Sequence, residues 1–368
     1  MKILVTGANG FIGKNLVMHL RVKTGMEVLT FARGDGNAAL LAALSLADAV
    51  IHLAGVNRPA TSDEFEQVNA GLTRQICESF RALNKTVPLI LASSVQAKLD
   101  NLYGRSKLAA EQTVEQLSLD RGVPVAIYRL QGVFGKWCKP NYNSVVATFC
   151  HNKAHDLPVQ INDASTKVSL VYVDDVVSAF LKLLVSPWSG LLRPEVAPEY
   201  CITLGELSSQ IDAFRNCRTT LVSERVGAGL TRALYATYLS YLPKDKFAYE
   251  VPAYGDARGI FVEMLKTPET GQFSFFTAHP GVTRGGHYHH TKTEKFLVIK
   301  GKARFGFRHM ITNEIFYLDT QGAKPQVVET VPGWTHDITN MGDEELVVML
   351  WANEIFDRVN QDTFSSEV

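Results

Sequence analysis

The chain has 368 residues, of which 46% are hydrophobic and 20% charged, a balance typical of folded globular domains rather than disordered chains. Its 37 Lys and Arg residues equal its 37 Asp and Glu residues in number, which argues against a nucleic-acid or membrane-surface protein, because such proteins carry a basic excess. At roughly 100–200 residues per domain, this length predicts about two domains.

The cysteines indicate a reducing compartment, and the apolar stretches indicate neither a signal peptide nor a membrane span. The five cysteines are odd in number and scattered, so they indicate neither a disulfide framework nor a thiolate zinc site. Residues 1–5 enter a strand-like run without a signal-peptide pattern, and the most apolar stretch, residues 38–55, is interrupted by polar residues. We therefore expect a cytoplasmic protein with no membrane or nucleic-acid partner.

The first part of the chain alternates strand-like and helix-like patterns. Strands are predicted at residues 3–6, 28–31, 49–53, 89–92 and 125–128. Helices are predicted at residues 11–20, 63–83 and 103–119, and a capping box from Thr203 to Glu206 opens a later helix. This alternation predicts an α/β domain of the Rossmann type, with a parallel sheet covered by helices on both faces.

A glycine-rich segment, TGANGFIG, lies between the first predicted strand and helix. Gly7 allows a tight turn, Gly10 lets the backbone approach a pyrophosphate, and Gly13 permits close helix packing. The helix N-terminus offers amide donors and the positive end of its dipole to the phosphates. The segment predicts a dinucleotide site formed by Gly7, Asn9, Gly10, Phe11, Ile12 and Gly13.

Arg33 follows the second predicted strand, where an NAD enzyme usually has Asp or Glu for the ribose 2′-hydroxyl. A cation at this point favours the 2′-phosphate, so we expect NADPH as the cofactor, with a solvated surface Arg as the alternative.

A reductase-like set of side chains follows. Tyr103 and Lys107 are four residues apart at the start of a predicted helix and share a face, and Ser94 ends the fourth predicted strand. A lysine and an oxidised nicotinamide stabilise a phenolate, so Tyr103 can exchange a proton with a carbonyl or alcohol near neutral pH. We expect Ser94 to hydrogen bond the substrate oxygen.

These motifs, with HLAG at residues 52–55 and YVDD at 172–175, resemble the extended short-chain dehydrogenase/reductase superfamily over about residues 1–240. The resemblance implies a nucleotide-sugar substrate and adds Leu53, Ala54, Gly55 and Lys107 to the cofactor contacts. Gly132 stands where many members carry a substrate-contacting Asn, and only eight residues separate Ser94 from Tyr103. Our candidates for the sugar-diphosphate contacts, with a structural loop as the alternative, are Lys136, Lys139, Asn141 and Asn143.

The pattern changes near residues 243–245. From Phe261 onward short alternating strands follow at close spacing, the clearest at residues 273–277, 294–299, 303–308, 314–318 and 346–351. The pattern predicts an all-β sandwich or barrel. We therefore expect two domains, residues 1–243 and 244–368.

The β-rich part carries a cluster of metal-ligand residue types. His287 and His289 alternate along a predicted strand, so they point to one face. Glu294 can return from the next strand, and His336 follows Pro332-Gly333. Three imidazoles and a carboxylate suit one divalent metal, zinc or another transition ion, at a site with an open position.

The pattern G-x5-H-x-H-x4-E-x6-G, followed by G-x2-H-x3-N, resembles the two cupin motifs and so implies a jelly-roll domain. Residues 256–263 and 282–288 are also similar to the 4-keto-6-deoxysugar 3-epimerases of the cupin class, in which the matching His is a general base and no metal is needed. Here His289 and Glu294 favour a metal. In both interpretations the site suits removal of a proton beside a ketone, with His287 as a catalytic residue.

Over its whole length the chain resembles the CapF-type bifunctional enzymes of capsule and O-antigen synthesis, on residues 135–144 and 287–292. The resemblance implies that the cupin epimerises C3 of UDP-2-acetamido-2,6-dideoxy-L-arabino-hexos-4-ulose. The first domain then reduces C4 with NADPH to UDP-2-acetamido-2,6-dideoxy-L-talose, on the path to UDP-N-acetyl-L-fucosamine. It also implies a homodimer. A structural dimerisation cupin, a nucleotide sensor and an iron oxygenase remain alternatives.

Overall fold

The computed structural model describes residues 1–32, 34–59, 61, 63–357 and 359–368. Arg33 lies outside the described residues, so the preference for NADPH stays a prediction. The chain forms two compact units, one of Met1–Ile211 with Ala228–Pro243 and one of Asp212–Gly227 with Lys244–Val368. The assignment of different activities to residues 1–243 and 244–368 also stays a prediction.

The first unit alternates strands and helices, as predicted. Its strands are β1 (Lys2–Thr6), β2 (Glu27–Phe31), β3 (Ala49–His52), β4 (Leu89–Ser94), β5 (Val125–Leu130), β6 (Gly132–Phe134), β7 (Lys167–Tyr172), β8 (Leu191–Leu192) and β9 (Tyr200–Thr203). Its helices are α1 (Phe11–Arg21), α2 (Asn37–Leu46), α3 (Leu72–Ala82), α4 (Leu102–Arg121), α5 (Val145–Ala154), α6 (Val173–Leu184) and α8 (Gly229–Leu239). Helix α7 (Leu204–Thr220) contains residues of both units.

The main sheet of this unit is parallel, with the strand order β2-β1-β3-β4-β5-β8. Alternate residues of β1 enter different cores: Ile3 and Val5 pack with α1 and α6, whereas Leu4 packs with α2, α3 and α4. The predicted Rossmann-type sheet, covered on both faces, is therefore confirmed. The strand order reverses at β1, so the carboxyl ends of β1 and β3 flank the crevice where such folds bind ligands.

Two local predictions had different outcomes. The capping box is confirmed, because Thr203 N donates to Glu206 Oε2 at 2.9 Å and Glu206 N donates to Thr203 Oγ1 at 3.2 Å. The helix predicted at 63–83 is confirmed in extent, because residues 63–82 are helical without a break, but Phe65–Gly71 form a π-helical segment before α3. The side chain of Asn69 in this segment is buried and hydrogen bonds both backbone groups of Val56, which helical periodicity alone does not reveal.

The second unit is built from antiparallel strands. They are β10 (Ala253–Asp256), β11 (Gly259–Thr267), β12 (Gly271–Ala278), β13 (Thr283–Tyr288), β14 (Glu294–Lys300), β15 (Lys302–His309), β16 (Ile315–Gln321), β17 (Val327–Glu329), β18 (Trp334–Asn340), β19 (Leu346–Ala352) and β20 (Phe364–Ser365). They form two sheets, β10-β11-β12-β19-β14-β17 and β16-β15-β18-β13-β20. Residues 212–227 join this unit through hydrogen bonds of Leu221 and Ser223 with Lys266.

The two sheets share one hydrophobic core. Phe276, Phe296 and Val348 come from the first sheet, and Phe305 and Ile338 come from the second. This arrangement confirms the predicted all-β domain and is consistent with a cupin. Within the described residues of the whole chain, no helix is long and apolar enough to cross a membrane.

Candidate active site and metal centre

The glycine segment forms a tight turn between β1 and α1. Gly7 has a φ of 70°, and its amide donates to the Phe31 carbonyl at 3.0 Å. A Cβ at Gly7 would lie 2.7 Å from Ala54 N, and one at Gly13 would collide with the Gly7 carbonyl oxygen. Both positions therefore need glycine for close backbone approach.

The other predicted cofactor residues lie around this turn. Asn9 and Gly10 are exposed, and Phe11 and Ile12 are half-buried at the start of α1. The α1 N-terminus has no side-chain cap, so its first amides are available to an anion. Leu53, Ala54 and Gly55 follow β3 on the other side of the crevice, as the strand order requires.

His52, the first residue of the HLAG motif, has a structural role. It is buried, and its two ring nitrogens hydrogen bond Thr6 Oγ1 at 2.7 Å and Thr73 Oγ1 at 2.9 Å. Burial, helped by the nearby Lys107 cation, lowers the pKa of His52 to about 3. The ring is therefore neutral and links β1, β3 and α3.

Ser94, Tyr103 and Lys107 lie together at the carboxyl end of β4. Ser94 forms a hydrogen bond with the half-buried Tyr103 phenol, and burial, only partly opposed by this hydrogen bond, raises the pKa of Tyr103. Lys107 Nζ is buried and donates to the Ala92 carbonyl at 2.7 Å. A Cβ added at Gly55 would lie 3.8 Å from Lys107 Nζ, so the ammonium also lies close to the predicted cofactor loop.

A buried carboxylate supports this set and was not identified from the sequence. Glu111 lies one helical turn beyond Lys107, and its side chain is fully buried. It accepts hydrogen bonds from Ser93, from Arg129 at 2.6 Å and from Arg193 at 3.2 Å. Because a buried charge is costly unless paired, these contacts hold the end of β4 against α4. The only sequence signal is an acidic residue in phase with Lys107.

The charge of Lys107 predicts a pH dependence. Burial lowers the pKa of Lys107 to about 8, although Glu111 opposes the shift. We expect the rate of NADPH oxidation to fall as the pH rises through about 8, because Lys107 loses its charge there while Tyr103, whose pKa is raised, stays protonated. A pH profile of kcat/KM measures this.

Two variants test whether deprotonation of Lys107 causes this fall in rate at alkaline pH, the alkaline limb of the profile. Lys107→Arg keeps the charge at high pH and should move the limb above about pH 10, because guanidinium is not deprotonated in that range. Lys98→Gln removes an exposed lysine after β4 and should leave the profile unchanged. A wild-type profile that stays flat to pH 10 would contradict the assignment.

The predicted substrate segment, residues 136–143, is only partly available to a ligand. Lys136 Nζ is 2.6 Å from Asp174 Oδ1, so its charge is already paired. Lys139, Asn141 and Asn143 are exposed, and Lys139 Nζ lies 5.2 Å from the centre of the Tyr142 ring. Substrate contacts by these four residues stay a prediction.

The predicted metal ligands converge in the second unit. One ligand atom from each of His287, His289, Glu294 and His336 lies within 4.8 Å of all the others. His287 and His336 are paired across β13 and β18, and Glu294 starts β14 on the other sheet. Gly285 and Gly286, with φ of 93° and 79°, form a bulge that directs His287 into the cluster.

The carboxylate of Glu294 is the centre of this cluster. Its Oε2 lies 3.2 Å from His289 Nε2, 3.4 Å from His336 Nε2 and 3.9 Å from His287 Nε2. Its Oε1 lies 3.2 Å from the ammonium of the buried Lys292. Although burial opposes it, these imidazoles and Lys292 hold the pKa of Glu294 well below its usual range.

The donor set fits a transition metal. A tetrahedral ion with ligands at about 2.0–2.2 Å places ligand atoms about 3.4 Å apart, close to the spacing around Glu294 Oε2. The His289 Nδ1–H donates to the Asp362 carbonyl, which leaves Nε2 as a lone-pair donor. Among the described residues, no hydrogen-bond partner satisfies either ring nitrogen of the buried His336. A metal at this point would satisfy Nε2.

A cavity of about 350 Å³ opens onto the cluster, the size of a small-ligand site. His287, Glu294 and His336 line it, and the side chain of His287 is the most exposed of the four, at 24%. Phe296 and Ile338 provide apolar walls. Arg258 and Arg284 also line the cavity; Arg258 is paired with Asp256 at 2.6 Å, and Arg284 donates to the Thr277 carbonyl at 3.0 Å.

Comparison with known proteins agrees with both units. Residues 3–192 match the NAD dependent epimerase/dehydratase family, and residues 254–364 match the Polysaccharide biosynthesis C-terminal domain. The chain is 56% identical to UDP-2-acetamido-2,6-beta-L-arabino-hexul-4-ose reductase from Pseudomonas aeruginosa, over 100% of this chain and 99% of that protein.

Solved structures give the same picture. The capsular polysaccharide assembling protein CapF from Staphylococcus aureus is 40% identical, with a TM-score of 0.92 over 100% of both chains. UDP-glucuronic acid 4-epimerase from Bacillus cereus, at 17% identity, matches 66% of this chain and 98% of its own with a TM-score of 0.56, which shows a shared fold alone.

Proposed function

The chain is a CapF-like member of the NAD dependent epimerase/dehydratase family with a polysaccharide biosynthesis C-terminal domain, and on this basis we propose that it reduces a UDP-linked 4-ketosugar for capsule synthesis. The substrate class is that of the relative that is 56% identical, a UDP-2-acetamido-2,6-dideoxy-hexos-4-ulose. The observation that supports this proposal best is the Ser94, Tyr103 and Lys107 set beside the glycine turn, because it is the machinery such a reduction needs.

In the proposed reduction, the glycine turn would hold NADPH, which would supply a hydride to C4 of the sugar. Tyr103 donates its phenolic proton to the C4 oxygen, and Ser94 hydrogen bonds that oxygen. The Lys107 ammonium stabilises the phenolate that remains until solvent reprotonates it. The product is UDP-2-acetamido-2,6-dideoxy-L-talose, the reduced form of the C3-epimerised ketosugar.

We further propose that the cupin epimerises C3 before reduction. A divalent metal, with zinc the first expectation, would be held by His287, His289, Glu294 and His336 and would polarise the 4-keto oxygen, which acidifies C3. Of these residues, His287 has the most exposed side chain in the cavity and lies farthest from Glu294 Oε2, so we assign it the removal of the C3 proton, a role in which its imidazole would leave the metal to the other three residues. Return of a solvent proton to the other face of C3 completes the epimerisation.

One reaction in deuterated water tests both activities. The chain would be incubated with NADPH and the UDP-linked L-arabino 4-ketosugar, and the products analysed by mass spectrometry. We expect a reduced product that carries one solvent deuteron at C3, because the proton returned to C3 comes from solvent whereas the hydrogen delivered to C4 comes from NADPH. No reduction, with the ketosugar intact, would contradict the proposed function.

Reduction without deuterium would leave the reductase and favour the alternative, in which the cupin serves as a dimerisation module. His287→Ala separates the two further, because unaltered C3 exchange in that variant would rule out its role as the base. The homodimer itself is part of the proposal, and light scattering of the full chain measures it. Oxygen uptake with bound iron would instead favour an oxygenase.

A further inference from the structure

The last residues of the chain are built into the wall of the histidine cluster. The short strand β20 pairs with β13, so that Ser365 lies opposite His287 and Phe364 lies opposite Tyr288. Ser366 N donates to the Gly286 carbonyl at 3.0 Å. The segment therefore runs beside the strand that carries the first predicted metal ligand.

Asp362, just before β20, holds the loop between β13 and β14. Its Oδ1 accepts from His290 N at 2.9 Å, and its Oδ2 accepts from Thr291 N at 2.7 Å and from Lys292 N at 2.8 Å. The Thr291 hydroxyl also donates to Oδ2 at 3.0 Å. One carboxylate thus satisfies three successive backbone amides that have no strand partner.

The same residue contacts a predicted ligand directly. The Asp362 carbonyl accepts from His289 Nδ1, and Thr363 Oγ1 lies 3.4 Å from the same nitrogen. A carbonyl can only accept, so this contact fixes the tautomer and the orientation of the imidazole. The side chain of Asp362 fixes the loop, and its main chain fixes the ring.

We propose that Asp362 is a positioning residue of the metal centre, acting through the 290–292 amides and the His289 ring; this inference rests on the metal site under the proposed function. The chemistry is that of an outer partner which orients a ligand without touching the metal. Loss of such partners typically weakens metal binding 10–100-fold. The loop carries Lys292 and ends at Glu294, so its displacement would disturb two further members of the cluster.

The test uses the full chain and zinc as the probe. The Kd for Zn²⁺ would be measured by competition with a chromophoric chelator for the wild type, Asp362→Asn and Asp362→Ala. We expect both variants to bind Zn²⁺ about 10–100-fold more weakly. Asp357→Asn is the matched control, because Asp357 lies in the same segment, is exposed and, among the described residues, bonds locally to Val359 and Asn360; the Zn²⁺ affinity of this variant should be unchanged.

A spectroscopic readout separates positioning from a general loss of structure. The Co²⁺-loaded Asp362→Asn chain should show an altered visible spectrum, whereas the rate of NADPH oxidation with a pre-epimerised ketosugar should be unchanged. If the variants bind Zn²⁺ as tightly as a metal-binding wild type, the inference about Asp362 is wrong and the metal centre stands. If the wild type binds no Zn²⁺ or Co²⁺, the inference about Asp362 and the proposed metal centre are both wrong. If Asp362→Ala does not fold, the Zn²⁺ affinity of Asp362→Asn alone tests the inference.

Discussion

Replacement of Tyr103 by Phe should lower the rate of NADPH oxidation by about 10²–10⁴-fold, the contribution typical of a positioned general acid. The variant keeps the ring that packs 5.8 Å from Phe65 but loses the proton for the C4 oxygen and the hydrogen bond with Ser94. Exchange of the C3 proton with solvent should continue at the wild-type rate, because the proposed base lies in the cupin. The absorbance of NADPH measures the rate of its oxidation, and deuterium incorporation measures the exchange of the C3 proton.

Tyr128→Phe is the matched control for this prediction. Tyr128 is also a tyrosine of the first unit, but it is buried, and its hydroxyl donates to the Ala179 carbonyl at 3.3 Å. Its loss should cost about one hydrogen bond of stability, roughly 1 kcal/mol, and leave both activities unchanged. If Tyr103→Phe folds but loses reduction and C3 exchange together, our division of labour between the two units is wrong.

The patterns that were predictable are those that one element carries by itself. Gly7, Gly10 and Gly13 report a strand–turn–helix geometry that is complete within eight residues. The alternating burial along β19 follows from the two-residue period of a strand. The metal-ligand residues around His287 could also be recognised in the sequence, because imidazoles and a carboxylate at strand spacing are typical of a metal site.

The residues that escaped prediction act over long distances in sequence. Glu111 accepts a hydrogen bond from Arg193, which is 82 residues away in sequence, and Asp362 accepts one from His290, which is 72 residues away. Asn69, in the π-helical segment, hydrogen bonds Val56, which is 13 residues away. None of these side chains belongs to a local motif. Each satisfies a buried or unpaired polar group, and that need appears only once the elements have packed.

Replacement of Glu294 by Gln should have the second large effect. The carboxylate is the only anion among the described ligand atoms of the cluster, so an amide there removes the charge that favours a divalent cation. We expect the affinity for Zn²⁺ to fall by more than about 100-fold, since loss of an outer partner alone costs 10–100-fold. Deuterium incorporation at C3 should be lost with it, whereas reduction of a pre-epimerised ketosugar should continue.

Glu329→Gln is the matched control, because this exposed carboxylate pairs with Lys295, the neighbour of Glu294, at the surface of the same sheet. Removal of the metal by a chelator should reproduce the loss of C3 exchange, and added Zn²⁺ should restore it in the wild type but not in Glu294→Gln. Exchange that persists in the metal-free chain would instead favour the metal-independent epimerases, in which one histidine is the base. In that case His287→Ala would still abolish exchange, and the role of Glu294 would be to hold the imidazoles by charge. The two experiments together therefore separate a metal-assisted proton transfer from one carried by His287 with its carboxylate neighbour.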